Sequence, residues 1–207
     1  MQSLEKLQQQ AQRPMPKLIT GNQAVKAVLQ QNGHPSILFV STHGVFAPAD
    51  TRQPDTDNPL VRCALLFAGC NDPKVREQGV LTGLEIVRSD LRGCELVVLS
   101  ACQTGLGDVR DGEGVAGMRQ CFQLAGAQCV VATLWNVPDL ETAKQTVSFL
   151  QLLTEGNDMA KALALAQRKH IQELRDEGFN GENPLFWAAI TITGAANQRA
   201  RLGKGAQ

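Results

Sequence analysis

Short unbroken apolar runs punctuate the chain, separated by stretches in which apolar residues recur every three or four positions. The continuous apolar runs at residues 96–100 and 129–134 predict strands buried on both faces, and those at 36–44, 61–68 and 186–193 predict further strands. A further short β segment is expected at residues 17–19. Helical spacing predicts a helix over 22–31 with Val25, Val28 and Leu29 inward, stopped by Asn32-Gly33. Helices are also expected over 81–87 (Leu84 and Val87 inward) and from Glu113 to Gly126 (Val115, Met118, Phe122 and Ala125). Two more are expected over 140–154 (Leu140, Ala143, Val147 and Leu150) and 159–176 (Leu163, Ala166 and Leu174). Strands alternating with helices predict a layered, mostly parallel α/β sandwich.

Two strand ends carry chemistry. The stretch Leu-Val-Val-Leu-Ser-Ala-Cys-Gln-Thr-Gly-Leu-Gly begins at Leu96 and sets Cys102 just past a buried strand, where a glycine-rich loop with Asp108, Arg110 and Asp111 opens. The strand at 36–44 ends the same way, with His43 in place of the thiol. Open α/β sheets bind ligands at the carboxyl ends of their strands. If the two strands are parallel neighbours, thiol and imidazole meet at one sheet edge, as a cysteine nucleophile with a histidine partner requires. The bland readings, a strand-end core histidine and an inert thiol, stay open at this point.

Composition narrows the classes. The 207 residues suit one large domain, and 20 basic against 20 acidic residues point to neither a nucleic-acid surface nor a polybasic membrane anchor. No apolar run approaches the roughly 20 residues of a membrane span. Residues 1–17 are polar and Gln-rich, reading as a linker or frayed segment rather than a secretory signal, and 195–207 as a disordered basic tail. Six cysteines without C-x-x-C spacing predict reduced thiols in a cytoplasmic setting and no zinc ribbon, and neither a metal nor a cofactor is expected. Cys63, Cys94, Cys121 and Cys129 read as small core residues, Cys70 as a turn residue, His34 as a surface residue and His170 as half-buried packing. The Gly105-Leu106-Gly107 run lacks the spacing and the lysine of a phosphate loop.

Six ordered blocks then carry a family resemblance. They are Thr42-His43-Gly44; Leu99-Ser100-Ala101-Cys102-Gln103-Thr104-Gly105; Gly112-Glu113-Gly114; Leu134-Trp135-Asn136-Val137-Pro138-Asp139; Lys161-Ala162-Leu163 with Ala166-Gln167; and Pro184-Leu185-Phe186-Trp187-Ala188-Ala189. Their order and spacing resemble the CHAT domain, a caspase-like cysteine peptidase family related to caspases and separases. The resemblance covers residues 18–194 and implies a caspase–hemoglobinase-like three-layer α/β/α sandwich with a mostly parallel sheet. It implies Cys102 as nucleophile and His43 as partner, with the backbone N–H groups of Gly44 and Cys102 as oxyanion donors. Carried over from separases, Asp139 would line the pocket for a basic residue before the cut. It also stands where an N-cap for the following helix belongs, and both readings stay open. Asp108 and Asp111 are weaker candidates for the same pocket.

Relatives in this family usually carry a first strand ahead of the histidine strand and sit beside helical repeats. The chain is therefore expected to be a fragment, or a reduced member whose sheet lacks an edge strand. A regulatory partner or an upstream helical-repeat module is expected to control it. Three functions follow from the sequence: a cysteine endopeptidase cutting protein substrates after Arg or Lys, a catalytically silent scaffold of the same fold, and a doubly wound domain for a small molecule.

Overall fold

The computed structural model describes residues 17–31, 35–47, 58–100, 113–135, 138–181 and 183–200. After a 3-10 turn at Gly21–Gln23 come α1 (Ala27–Gln31), β1 (Ile37–Ser41), β2 (His43–Phe46), α2 (Pro59–Arg62) and β3 (Cys63–Leu66). Next are α3 (Arg76–Gly79), β4 (Val80–Thr82), α4 (Gly83–Val87), β5 (Leu96–Ser100) and α5 (Glu113–Leu124). The chain continues through β6 (Cys129–Thr133), α6 (Asp139–Thr154), α7 (Met159–Asp176), α8 (Pro184–Trp187) and β7 (Ile190–Gly194).

The main sheet runs β1-β5-β6-β7, with β1, β5 and β6 parallel and β7 antiparallel to β6. Leu96 to Leu99 and all five residues of β6 are buried, as unalternated apolar strands covered on both faces must be. One face, through Val97, Leu99, Val130 and Ala132, packs against Met118, Cys121 and Phe122 of α5 and Ile86 of α4. The other, through Leu96, Val98, Val131 and Ile190, packs against Phe149, Leu150 and Leu153 of α6 and Met159, Ala162 and Ala166 of α7. The architecture is thus the expected three-layer α/β/α sandwich. Among the described residues, no helix is long and apolar enough to cross a membrane.

A second, antiparallel sheet, β2-β3-β4, was not foreseen. The run at 36–44, expected to be one strand, divides at Thr42. Its N–H still donates to Ser100 O in the main sheet at 3.3 Å, while its hydroxyl donates to Leu66 O in the second. The run at 61–68 shortens because the Asn58 side chain accepts from Leu60 N–H (2.9 Å) and caps a helical turn first. Residues 17–19 form no strand, and the helix expected over 22–31 is a 3-10 turn followed by the short α1. The run at 186–193 likewise begins as a helical turn, capped by Asn183, before β7.

Two inward faces differ from expectation. In α4 it is Ile86 that is buried, while Leu84 is 42% exposed. In α6 the buried side chains are Thr142, Gln145, Thr146, Phe149, Leu150 and Leu153, with Leu140 and Ala143 facing out. The α7 stripe of Leu163, Ala166 and Leu174 is inward as predicted. Residues 195–200, assigned to the tail by sequence, return to α7: Ala196 O accepts from Ala160 N–H (2.9 Å) and Gln198 O from Met159 N–H (3.2 Å).

Glycine at position 83 is required by proximity. A Cβ there would lie 2.3 Å from Leu60 O and 2.7 Å from both Cys63 and Cys121 Sγ. Those two thiols touch at 3.7 Å, and Cys63, Cys94, Cys121 and Cys129 are all buried and free, in keeping with their reading as core residues. Burial pushes the Cys94 thiol up to about 11, which disfavours the reactive thiolate.

Candidate active site

The parallel ladder between β1 and β5 pairs Ser41 with Ser100, and the Thr42–Ser100 hydrogen bond extends that pairing one step. His43 stands two residues past Ser41. Cys102 stands two residues past Ser100 but lies outside the described residues, as do Asp108 and Asp111. The structure therefore describes the backbone as far as Ser100 on one strand and through His43 on the other.

His43 opens β2 opposite Leu66, and its exposed side chain has neither a hydrogen bond nor an ion pair among the described residues. Thr42 fixes the approach, because its backbone answers to one sheet and its side chain to the other. Gly44 is buried, and its amide direction follows from the ladder. Ala47 N–H donates to Arg62 O (2.8 Å) on one side of β3, and Phe67 N–H to Gly79 O (2.7 Å) on the other. Bonded pairs in an antiparallel ladder recur at every second residue, so Val45↔Ala64 and His43↔Leu66 exchange bonds and Gly44↔Leu65 does not. The Gly44 N–H consequently points away from β3.

At the carboxyl end of β6, Leu134 N–H donates to Ala189 O (2.8 Å) and the Trp135 ring N–H to Leu185 O (2.9 Å), tying this segment to α8. Asp139 is the first residue of α6. The cap position belongs to Pro138, which supplies no side-chain bond, so the reading of Asp139 as the cap is corrected. Its carboxylate is exposed and has no partner among the described residues, in the first turn where the helix dipole favours negative charge.

Sequence reasoning missed the polar residues behind this turn. His170 of α7 is 1% exposed rather than half-buried; its Nε2 lies 3.2 Å from Glu141 Oε2 of α6, an ion-pair distance without hydrogen-bond alignment. Glu141 also lies 3.4 Å from Lys144 Nζ, which reaches Glu177 at 3.3 Å. Gln145 Nε2 donates to Phe186 O (3.1 Å), and Gln167 Nε2, part of a recognised block, donates to Ile190 O (2.9 Å). On the opposite face, buried Arg119 donates to Ala132 O (2.9 Å) and to the Thr191 hydroxyl, and burial lowers its pKa. Apart from the i,i+3 pair Glu141–Lys144, no sequence signal marks these contacts, since each joins residues distant along the chain. Among the described residues, no group of three or more His, Cys, Asp or Glu side chains could hold a metal ion.

Fold and edge geometry define an α/β/α sandwich in which His43 follows the carboxyl end of β1. The CHAT domain family matches residues 1–195, and the chain belongs to that family, whose fold is caspase-like. It is similar to tetratricopeptide repeat protein 28 of Mus musculus, with 33% identity over 124 residues. That stretch is 59% of this chain and 5% of the mouse protein, so the chain spans only a small part of this relative's length.

Proposed function

We propose that the chain is a cysteine endopeptidase that cuts protein substrates after Arg or Lys. The observation that carries this reading is the Ser41↔Ser100 register, from which positions 43 and 102 each follow by two residues. Exposed His43 and the Gly44 amide directed off the ladder support it further.

In this reaction the Cys102 thiolate attacks the scissile carbonyl, the form in which sulfur is nucleophilic. The carbonyl oxygen takes up negative charge and is met by the N–H groups of Gly44 and Cys102, which act on charge developed in the transition state. His43 protonates the departing amine, a contribution of about 10²–10⁴-fold. Water then attacks the thioester with His43 as base, releasing the acid and restoring the thiol. Asp139 faces the basic side chain of the residue before the cut. Control by a partner or a helical-repeat segment fits the similarity to a protein named for such repeats.

The test is a panel of fluorogenic peptides ending in Arg, Lys, Asp or Leu, run with the parent, Cys102→Ala and His43→Ala. Cleavage after Arg and Lys that both substitutions abolish is the expected result. Absence of turnover and of labelling by a thiol-directed peptidyl inhibitor, including when a helical-repeat partner is supplied, overturns it in favour of a catalytically silent scaffold.

A further inference from the structure

Several large apolar side chains that face water lie near the carboxyl end of the main sheet. Leu134 (38% exposed), Leu140 (65%), Phe179 (59%) and Leu185 (54%) make up four of the nine exposed large hydrophobic residues described. Singly exposed leucines are ordinary on any protein surface. These four instead share the sheet's carboxyl end. Leu134 precedes the Trp135 whose ring N–H holds Leu185 O, Leu140 adjoins Asp139 in the first turn of α6, and Phe179 follows the Glu177 that Lys144 of α6 pairs with. Their backbones are held: Ala189 O accepts from Leu134 N–H, Phe186 O from Gln145, and Leu174 O from Phe179 N–H (2.8 Å). Such preset geometry lowers the ordering cost of binding.

Asp139, whose exposed carboxylate has no partner among the described residues, directly precedes Leu140 in the first turn of α6 and follows the Leu134–Trp135 segment tied to Leu185. An acid with no partner among the described residues, close in the fold to leucines on held backbone, complements a segment that carries a cation next to a large apolar group. We propose that Leu134, Leu140 and Leu185 form an apolar subsite that takes a large aliphatic or aromatic side chain within two positions of the basic residue held by Asp139. The occupant is an extended peptide of the substrate, and the inference rests on the peptidase reading above by naming the sequence class it prefers. Two adjoining anchors, one ionic and one apolar, give selectivity that neither gives alone, because a peptide lacking either leaves Asp139 unmatched or the leucines wet.

The experiment uses the whole chain carrying Cys102→Ala and three fluorescent, end-blocked peptides. They contain Arg with a neighbouring Leu, Arg with a neighbouring Ser, and Gln with a neighbouring Leu. Anisotropy titration is expected to give at least ~10-fold tighter binding for the Arg–Leu peptide than for either other. Leu140→Ser and Leu185→Ser, both at exposed positions, should each weaken that peptide about five- to tenfold and leave the Arg–Ser peptide unchanged, with the thermal midpoint unmoved. Equal affinity for the Arg–Leu and Arg–Ser peptides, no binding of any, or insensitivity to both leucine substitutions overturns the subsite. The same substitutions in the Cys102 parent separate the two readings. Arg-directed cleavage indifferent to the leucines sinks the subsite and keeps the peptidase. Leucine-dependent binding without cleavage keeps the subsite and sinks the peptidase.

Discussion

The two halves of α6 bury different chemistry under the same helix. Its second half sends Phe149, Leu150 and Leu153 into the apolar core beneath β5 and β6. Its first half, nearer the candidate site, buries Thr142, Gln145 and Thr146 and sets Glu141 against His170. Apolar burial is strong and non-directional, whereas a hydrogen bond or ion pair adds little net stability but fixes orientation. The far half thus holds the helix down. The near half aims it, which matters for a turn bearing Asp139 that has no side-chain cap of its own.

The largest effect tests the far half. Phe149→Ala should cost about 3–5 kcal/mol in urea unfolding, while peptide preference at temperatures where the variant stays folded remains that of the parent. Altered preference in the folded variant would break the division. His170→Gln, which replaces the fully buried imidazole 3.2 Å from Glu141 Oε2, should cost about 0.5–3 kcal/mol. Hydrogen exchange is expected to accelerate at residues 141–142 and not at 149–153, and uniform acceleration along α6 would count against a separate aiming role.

Away from both halves, the Thr82–Glu85 capping box of α4 supplies a control. Thr82→Ala should cost about 1 kcal/mol and leave peptide preference untouched. Burial by itself would raise the Glu85 carboxyl, but the Lys26 ammonium at 2.6 Å, with the Thr82 N–H and hydroxyl, holds it below the usual carboxylate range. The depressed pKa means its stabilisation is present above the unfolded value of about 4.3 and is lost as pH falls through the folded value. Lys26→Met should therefore lower the urea midpoint at pH 7, and the gap from the parent should close below about pH 4. A gap that widened in acid would reverse the assignment. Smallest in stability and sharpest in function is Asp139→Asn: about 0.3–1 kcal/mol from the helix dipole, with selective loss of Arg and Lys peptides. Unchanged preference there discards the pocket assignment.

What could be read beforehand follows the same division. The α7 stripe and strands β5 and β6 were legible because their burial is apolar and periodic or continuous. The α6 face was misjudged because its first half buries threonine and glutamine while Leu140 faces water, so the hydropathy pattern points outward. Thr42 was passed over inside a strand, since nothing in a lone threonine announces that it will serve two sheets. The turns at Asn58 and Asn183 hid within apolar runs because a four-residue helix is too short to establish a period. Of the candidate site, the positions of Cys102, His43, Gly44 and Asp139 were named from motifs, whereas Glu141, His170 and Gln145 act through tertiary contacts that leave no trace in local spacing.

The pairing of Ser41 with Ser100 also bears on how such a chain can change over time. Ile37 and Leu96 start the ladder together, and each lies six residues before one member of the candidate dyad. Loss or gain of one residue in either stretch would end the equal count from the start of the ladder to positions 43 and 102. A matched count from strand start to candidate residue is therefore a yardstick for judging whether a divergent copy could still bring the two positions to one sheet edge.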